Sequence, residues 1–164
     1  MDPAVVSKFL HILSVLAFVT GLVAREIVNT QAARAKDIAT TEALLQVSGR
    51  FERMVIGGSI AVLVFGLTTA WLQSLPILGS LQGGAVNWVL VSLALFILMQ
   101  VSLVPTIFIP SGRVFGAAWE AAKTLGRRTP ELHAAFENPN VRAGHMAELI
   151  TTFVLIAVMV FKPF

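Results

Sequence analysis

Four apolar stretches, each about twenty residues long, constrain the fold of this chain more than any other feature of its sequence. They lie at residues 5–28, 54–75, 86–109 and 141–161. A helix needs about 20 apolar residues to cross a bilayer core of about 30 Å, and lipid offers the backbone no other hydrogen-bond partner. We therefore predict an all-α fold: an integral membrane four-helix bundle that forms a single transmembrane domain over residues 1–164, with short cytoplasmic interfacial helices.

Composition supports a membrane protein and excludes several kinds of active site. Of the 164 residues, 56% are hydrophobic and 13% are charged, and the mean hydropathy is +0.81. The chain has no cysteine, which excludes disulfides, thiolate metal sites and cysteine nucleophiles. It also lacks a glycine-rich phosphate loop, a recognisable catalytic triad and a His-x-x-x-His metal spacing. A hydrolase of soluble substrates is disfavoured, and the sequence leaves open whether the protein is an enzyme.

Basic residues occupy alternate connections between the apolar stretches. Five Lys or Arg residues lie within or at the edges of each of the connections before the second and fourth stretches, whereas residues 73–87 hold none. Because Lys and Arg stay on the cytoplasmic side, we predict a multi-pass protein of the bacterial cytoplasmic membrane with both termini outside. The net charge of +3 then reflects orientation, so we predict no nucleic-acid partner. The lipid bilayer is the expected partner, and a membrane-protein partner or a second copy of the chain stays open.

Polar and small residues form a stripe along the first apolar stretch. At 100° per residue, one side of this helix carries Lys8, His11, Ser14, Phe18, Gly21 and Arg25. An ionisable side chain in hydrocarbon costs several kcal/mol unless it finds a partner, water or the interface. This face is therefore expected to turn toward the other helices.

A carboxylate lies inside the fourth apolar stretch, where an ionisable residue indicates a functional site. By the predicted orientation, Glu148 and His145 lie at the same depth as Arg25 and Arg53. We predict an intramembrane polar cluster in which Arg25, Arg53 or both pair with Glu148, and in which His145 lies beside them. Two interpretations stay open: an ion pair that fixes helix register, and a binding or proton-handling site.

A second candidate site surrounds His11, in the outer third of the first stretch. His11 and His145 differ by about ten residues of depth, or about 15 Å, so they are poorly placed to ligate one metal ion together. We predict His11 as a candidate cofactor ligand, with Ser14 and Met159 nearby, and b-type haem as the candidate cofactor. The alternative is a histidine that is hydrogen-bonded to a hydroxyl or a carbonyl.

Proline, glycine and capping residues predict the helix boundaries at the cytoplasmic side. Pro105 should bend the third helix, because proline removes one backbone hydrogen bond. Residues 30–49 and 111–126 predict helical segments, either cytoplasmic extensions of the spans or interfacial helices, the second beginning at Ser111 and ending at Gly126. Asn138 followed by Pro139 is typical of a helix start.

Three short segments resemble a family of bacterial predicted integral membrane proteins with four spans. They are KFLHIL at residues 8–13, RFERM at residues 50–54 and GLT at residues 66–68. More distantly, the four spans and the early histidine resemble the membrane part of the copper-resistance protein CopD and the haem-binding protoporphyrinogen oxidase HemJ. The latter resemblance implies a role for His11, whereas the later-helix lysine of HemJ has no counterpart in the third span here.

Two classes of function follow from these features. The first is a bundle that binds a haem or porphyrin cofactor, or that handles protons, through His11 and the polar cluster. The second is a noncatalytic accessory subunit or assembly factor, in which the polar cluster locks the helices together. Copper handling has weaker support, because the five methionines are scattered. A transporter would need the chain to dimerise to form a path.

Overall fold

The computed structural model describes residues 1–82 and 84–163, and six α-helices contain most of them. The helices α1 and α2 form the first half of the molecule, and α3 to α6 follow a connection that contains a 3-10 turn at Gly79–Gln82. A π-helical turn at Val104–Phe108 joins α3 to α4 without a break in the helical path. The helices are α1 (Pro3–Arg34), α2 (Ile38–Leu72), α3 (Trp88–Leu103), α4 (Ile109–Leu125), α5 (Pro130–Phe136) and α6 (Pro139–Phe161).

Within the described residues, four helical stretches are long and apolar enough to cross a membrane, which confirms the predicted all-α class and the four spans. These stretches are Pro3–Arg34, Ile38–Leu72, Trp88–Leu125 and Pro130–Phe161. The side-chain contacts show that α1 and α2 run antiparallel, and so do α3 and α6. Both basic connections therefore lie at one end of the bundle, which we call the basic end. At 1.5 Å per residue, α1 and α2 are each about 50 Å long, more than a bilayer core requires.

Glycines let α1 and α2 approach each other closely. A Cβ atom at Gly58 would lie 3.0 Å from the Phe18 Cα atom, and one at Gly21 would lie 3.0 Å from the Val55 side chain. Close approach of this kind is typical of membrane helices, which gain stability from packing because lipid gives no hydrophobic drive for association. Among the described helices, α1 and α2 therefore form the most extensive helix–helix contact.

The third helix continues past both of its prolines, so the predicted helix start at Ser111 is wrong. The backbone is helical from Trp88 to Leu125 and contains Pro105 within the π-helical turn. A π-helical turn widens the backbone locally, which accommodates a proline ring inside a helix. The Thr106 hydroxyl also donates a hydrogen bond to the carbonyl of Ser102 in this region.

The other predicted boundaries had mixed outcomes. Gly126 ends α4 with a left-handed backbone (φ of 63°), and Asn138 caps α6 ahead of Pro139, as predicted. Of the two alternatives for residues 30–49, the extension of the spans is confirmed and a separate interfacial helix is wrong. These residues belong to the end of α1 and the beginning of α2. The helical backbone is interrupted at residues 35–37, and Asp37 caps α2. The carboxylate of Asp37 accepts a hydrogen bond from the Thr40 backbone, which lowers the pKa of Asp37.

The helices α4 and α5 fold back on each other at the basic end. Their shared core contains Ala118, Ala122 and Leu132, and the rings of Phe115 and Phe136 meet edge to face with centroids 4.9 Å apart. The connection between the third and fourth spans is therefore a packed helical hairpin.

Arg128, in the turn between α4 and α5, binds the C-terminal end of α1. Its guanidinium group donates hydrogen bonds to the carbonyls of Ala32 (3.3 Å), Ala33 (2.8 Å) and Ala35. The last turn of a helix lacks the usual i+4 backbone donors for its carbonyls, and a cation is favoured at the negative end of a helix dipole. The Ala32 carbonyl also accepts a hydrogen bond from the Ala35 backbone at 3.3 Å. Arg128 therefore attaches the α4–α5 hairpin to the first span.

We expect the Arg128→Gln variant to lose about 1.5–3 kcal/mol of unfolding free energy, since hydrogen bonds to charged groups contribute about that much. The measurement is denaturant-induced unfolding in detergent micelles, followed by circular dichroism. Arg127→Gln is the matched control, because Arg127 is the exposed neighbour. Equal effects of the two substitutions would contradict the attachment.

Candidate binding cleft at the basic end

A buried arginine connects three helices at the basic end. Arg25 of α1 donates from Nη1 to Oε2 of Glu52 at 2.8 Å and from Nη2 to Oε2 of Glu148 at 2.7 Å. Arg25 and Glu148 are each 5% exposed, whereas the Glu52 side chain is 48% exposed. The structure therefore brings together Arg25 and Glu148, two residues of the predicted cluster, and adds Glu52 from α2.

Arg53, in contrast, lies outside this cluster. Its side chain is exposed, and its Nε atom donates to the carbonyl of Gly49 at 3.3 Å, within the same helix. Of the two predicted partners for Glu148, only Arg25 contacts it in the structure.

Whether the buried charges of this cluster stabilise the fold depends on how closely they approach and how well they are hydrogen-bonded. Two charges removed from water lose several kcal/mol of solvation each, and their attraction compensates only when they are well aligned and hydrogen-bonded. The two guanidinium nitrogens satisfy these conditions, and the Phe108 ring lies 6.0 Å from the Arg25 Cζ atom. Among the described residues, Nε of Arg25 has no hydrogen-bond partner. The two carboxylates around one guanidinium give the cluster a formal charge of −1.

A second pair of ionisable groups lies next to this cluster. Nδ1 of His145 lies 2.8 Å from Oε2 of Glu26, and the His145 and Phe108 rings are tilted by 36° with centroids 5.2 Å apart. Sequence analysis placed His145 in the cluster but missed Glu26 as its partner. The available signal was the position of Glu26 directly after Arg25, one residue further around the helix.

These groups face a partly open cleft at the basic end. The cleft has a volume of about 1340 Å³ and is enclosed by α1, α2, α4, α5 and α6. Besides the carboxylates of Glu26, Glu52 and Glu137, its walls carry basic, histidine and aromatic side chains. They include Arg25, Arg34, Arg128, Arg142, His133, His145, Phe108, Phe115, Trp119 and Phe136. Such a lining provides hydrogen-bond donors for anions and flat surfaces for rings.

The structure places His11 away from this cleft. Nδ1 of His11 lies 3.0 Å from the carbonyl oxygen of Val62, while Ser14 donates to the carbonyl of Leu10 in its own helix at 2.8 Å. Met159 is partly buried near the end of α6. A smaller cleft of about 250 Å³ lies between α3 and α6. Of these two clefts in the described part of the chain, neither is lined by His11, Ser14 or Met159.

The four apolar spans and the polar cleft define an integral membrane protein of the helix-bundle class. Over residues 5–163 the chain matches the family described as "Predicted integral membrane protein (DUF2269)", and it belongs to that family. The resemblance to a family of predicted integral membrane proteins is thereby confirmed. No curated protein and no solved structure matched the chain.

Proposed function

We propose that this protein binds a carboxylate-bearing ring compound of the haem or porphyrin class in the cleft at its basic end. The observation that carries the proposal is a cleft of about 1340 Å³ that combines four aromatic side chains with four arginines, of which Arg25 and Arg128 are already bound by the protein. Ligand sites in proteins usually have volumes of about 300–1,000 Å³, so this cleft has room for a large ring.

The chemistry of the lining matches the two parts of such a ligand. Arginine binds carboxylates through paired, charge-assisted hydrogen bonds, and it remains charged at any physiological pH. Phe108, Phe115, Trp119 and Phe136 provide aromatic surface for the ring. Arg142 and Arg34 have no assigned ion pair among the described residues, so their guanidinium groups are the first candidates to bind the ligand's carboxylates.

The membrane setting of the proposal follows from the distribution of charge. The basic end would face the cytoplasm of a bacterial cell, with both termini outside, because arginine and lysine are retained on that side of the cytoplasmic membrane. The ligand would then enter the cleft from the cytoplasm or from the inner leaflet.

Titration of the purified protein in nanodiscs with haemin and with protoporphyrin IX tests the proposal. We expect both compounds to bind, and we expect Arg142→Gln to weaken binding about tenfold or more, since a hydrogen bond to a charged group contributes about 1.5–3 kcal/mol. Arg53→Gln is the matched control, because Arg53 does not line the cleft. It should change the affinity less than about twofold, well below the tenfold change that corresponds to 1.4 kcal/mol. Absorption and fluorescence titrations measure both affinities.

The same experiment separates the proposal from its two alternatives. If the polar cluster serves only proton handling, or if the protein is a noncatalytic accessory subunit, the protein should take up neither compound beyond what protein-free nanodiscs absorb. That result would overturn the proposed function. An unchanged affinity in Arg142→Gln would show that the compounds do not bind in this cleft.

A further inference from the structure

Two histidines of the spans each have one ring nitrogen engaged by the protein. Nδ1 of His11 lies 3.0 Å from the Val62 carbonyl oxygen, and Nδ1 of His145 lies 2.8 Å from a Glu26 carboxylate oxygen. In a neutral ring whose Nδ1–H donates such a hydrogen bond, Nε2 holds the lone pair and can bind a metal. Their surroundings therefore decide which histidine can serve as a ligand.

The surroundings of His11 indicate a packing role. A Cβ atom at Gly66 would lie 2.9 Å from Cε1, 3.1 Å from Nδ1 and 3.8 Å from Nε2 of His11. The ring thus fills the space that the missing side chain of Gly66 leaves on α2. Its polar nitrogen is satisfied by the carbonyl of Val62, four residues earlier on the same helix.

The surroundings of His145 match those of a metal-binding histidine. Metal-ligating histidines usually donate their second ring N–H to a carboxylate or a carbonyl, which fixes the tautomer and raises the basicity of the ligating nitrogen. Glu26 supplies that carboxylate, and the Phe108 ring packs on the imidazole at 5.2 Å. The His145 side chain is 14% exposed and lines the cleft that contains the arginines.

We infer that His145, rather than His11, ligates the iron of a haem bound in the basic-end cleft, and that Glu26 acts as a positioning residue for its ring. This inference rests on the proposed function. His133 lines the same cleft, but its side chain is 61% exposed and pairs with Glu137 of its own helical segment at 3.3 Å. His145 is therefore the less exposed of the two histidines, and its partner Glu26 lies on a different helix, α1.

Parallel titrations with haemin and metal-free protoporphyrin IX test this assignment in nanodiscs. Because only haemin contains iron, His145→Ala should weaken haemin binding about tenfold or more, equal to 1.4 kcal/mol. The same variant should shift the Soret band and change protoporphyrin binding less than about twofold, since arginines and rings hold that compound. Added imidazole should restore the wild-type Soret band. His11→Ala is the matched control and should keep the wild-type Soret band, because His11 does not line the cleft.

The variant Glu26→Gln tests the positioning role with a different readout. Loss of the carboxylate makes the imidazole a weaker donor to iron, so the reduction potential of the bound haem should rise while haem stays ligated. An unchanged potential would overturn the role of Glu26.

The outcomes distinguish the inference from the proposed function. If both compounds bind, and if the Soret band is lost in His11→Ala but retained in His145→Ala, the assignment to His145 is wrong and the proposed class of ligand stands. If the protein binds neither compound, both are wrong.

Discussion

Glu148→Gln is expected to lower the free energy of unfolding by about 3 kcal/mol, because breaking a buried ion pair on one side leaves an uncompensated charge and costs about 3–5 kcal/mol. Arg25 is 5% exposed, and after the substitution it would keep one charged partner, the half-exposed Glu52. The lower end of that range is therefore expected. Unfolding in mixed detergent and SDS micelles, followed by circular dichroism, measures the change.

Two further variants establish that the effect comes from burial of the pair. Glu52→Gln removes the other carboxylate, which is 48% exposed, so it should cost less than about 1 kcal/mol. The double variant Arg25→Met with Glu148→Leu removes both charges, and it should be more stable than Glu148→Gln alone. A double variant that is less stable than Glu148→Gln alone would contradict this account of the cluster.

The Gly58→Leu variant is expected to show the other large effect, a loss of about 3 kcal/mol, at the top of the usual range for overpacking a core. A Cβ atom at position 58 would already lie within 3.0–3.1 Å of the Cα, Cβ and N atoms of Phe18. Because two of these atoms belong to the backbone of α1, a larger side chain can fit only if the two helices separate.

The adjacent Gly57→Leu variant provides the control for helix propensity and added apolar volume. Nothing lies within 4 Å of a Cβ atom at Gly57, and leucine is a better helix former than glycine by about 1 kcal/mol or less. We expect unchanged or slightly higher stability for this variant in the same assay. Equal destabilisation by the two substitutions would mean that α1 and α2 do not pack through Gly58.

Sequence patterns predicted the four spans and two of the helix boundaries correctly because these depend on local properties. Apolar length determines whether a helix can cross the bilayer, and Asn138 and Gly126 act on the backbone within a few residues. The polar stripe likewise predicted the contact between Arg25 and Glu148, since a buried guanidinium group needs a carboxylate at its own depth. These features require no knowledge of how the helices are rotated.

The position of Arg53 was predicted wrongly, because the rotation of α2 about its own axis could not be deduced from the sequence. One face of α2 contacts α1, and it is defined by the spacing of Val55, Gly58, Val62 and Gly66. Arg53 lies two residues before Val55, about 200° around the helix, so it points away from α1. The close approach at the glycines sets this rotation, and the depth of a residue along the helix does not reveal it.

The cleft itself could not be predicted, because it depends on how distant segments pack. Arg128 reaches the end of α1 only because α4 and α5 form a hairpin, and the hairpin follows from the helix that continues through Pro105. Proline normally indicates a break, and here a π-helical turn accommodates it. Glu26 was missed as a partner of His145 for the same reason, since that contact joins α1 to α6.

We propose that the basic-end cleft holds a haem or porphyrin-type cofactor. The most direct test of this proposal is the absorption spectrum of the protein purified in mild detergent from the native membrane. We predict a Soret band whose intensity per protein falls in Arg142→Gln and is retained in Arg53→Gln. A colourless protein that co-purifies within a larger membrane complex would contradict the proposal.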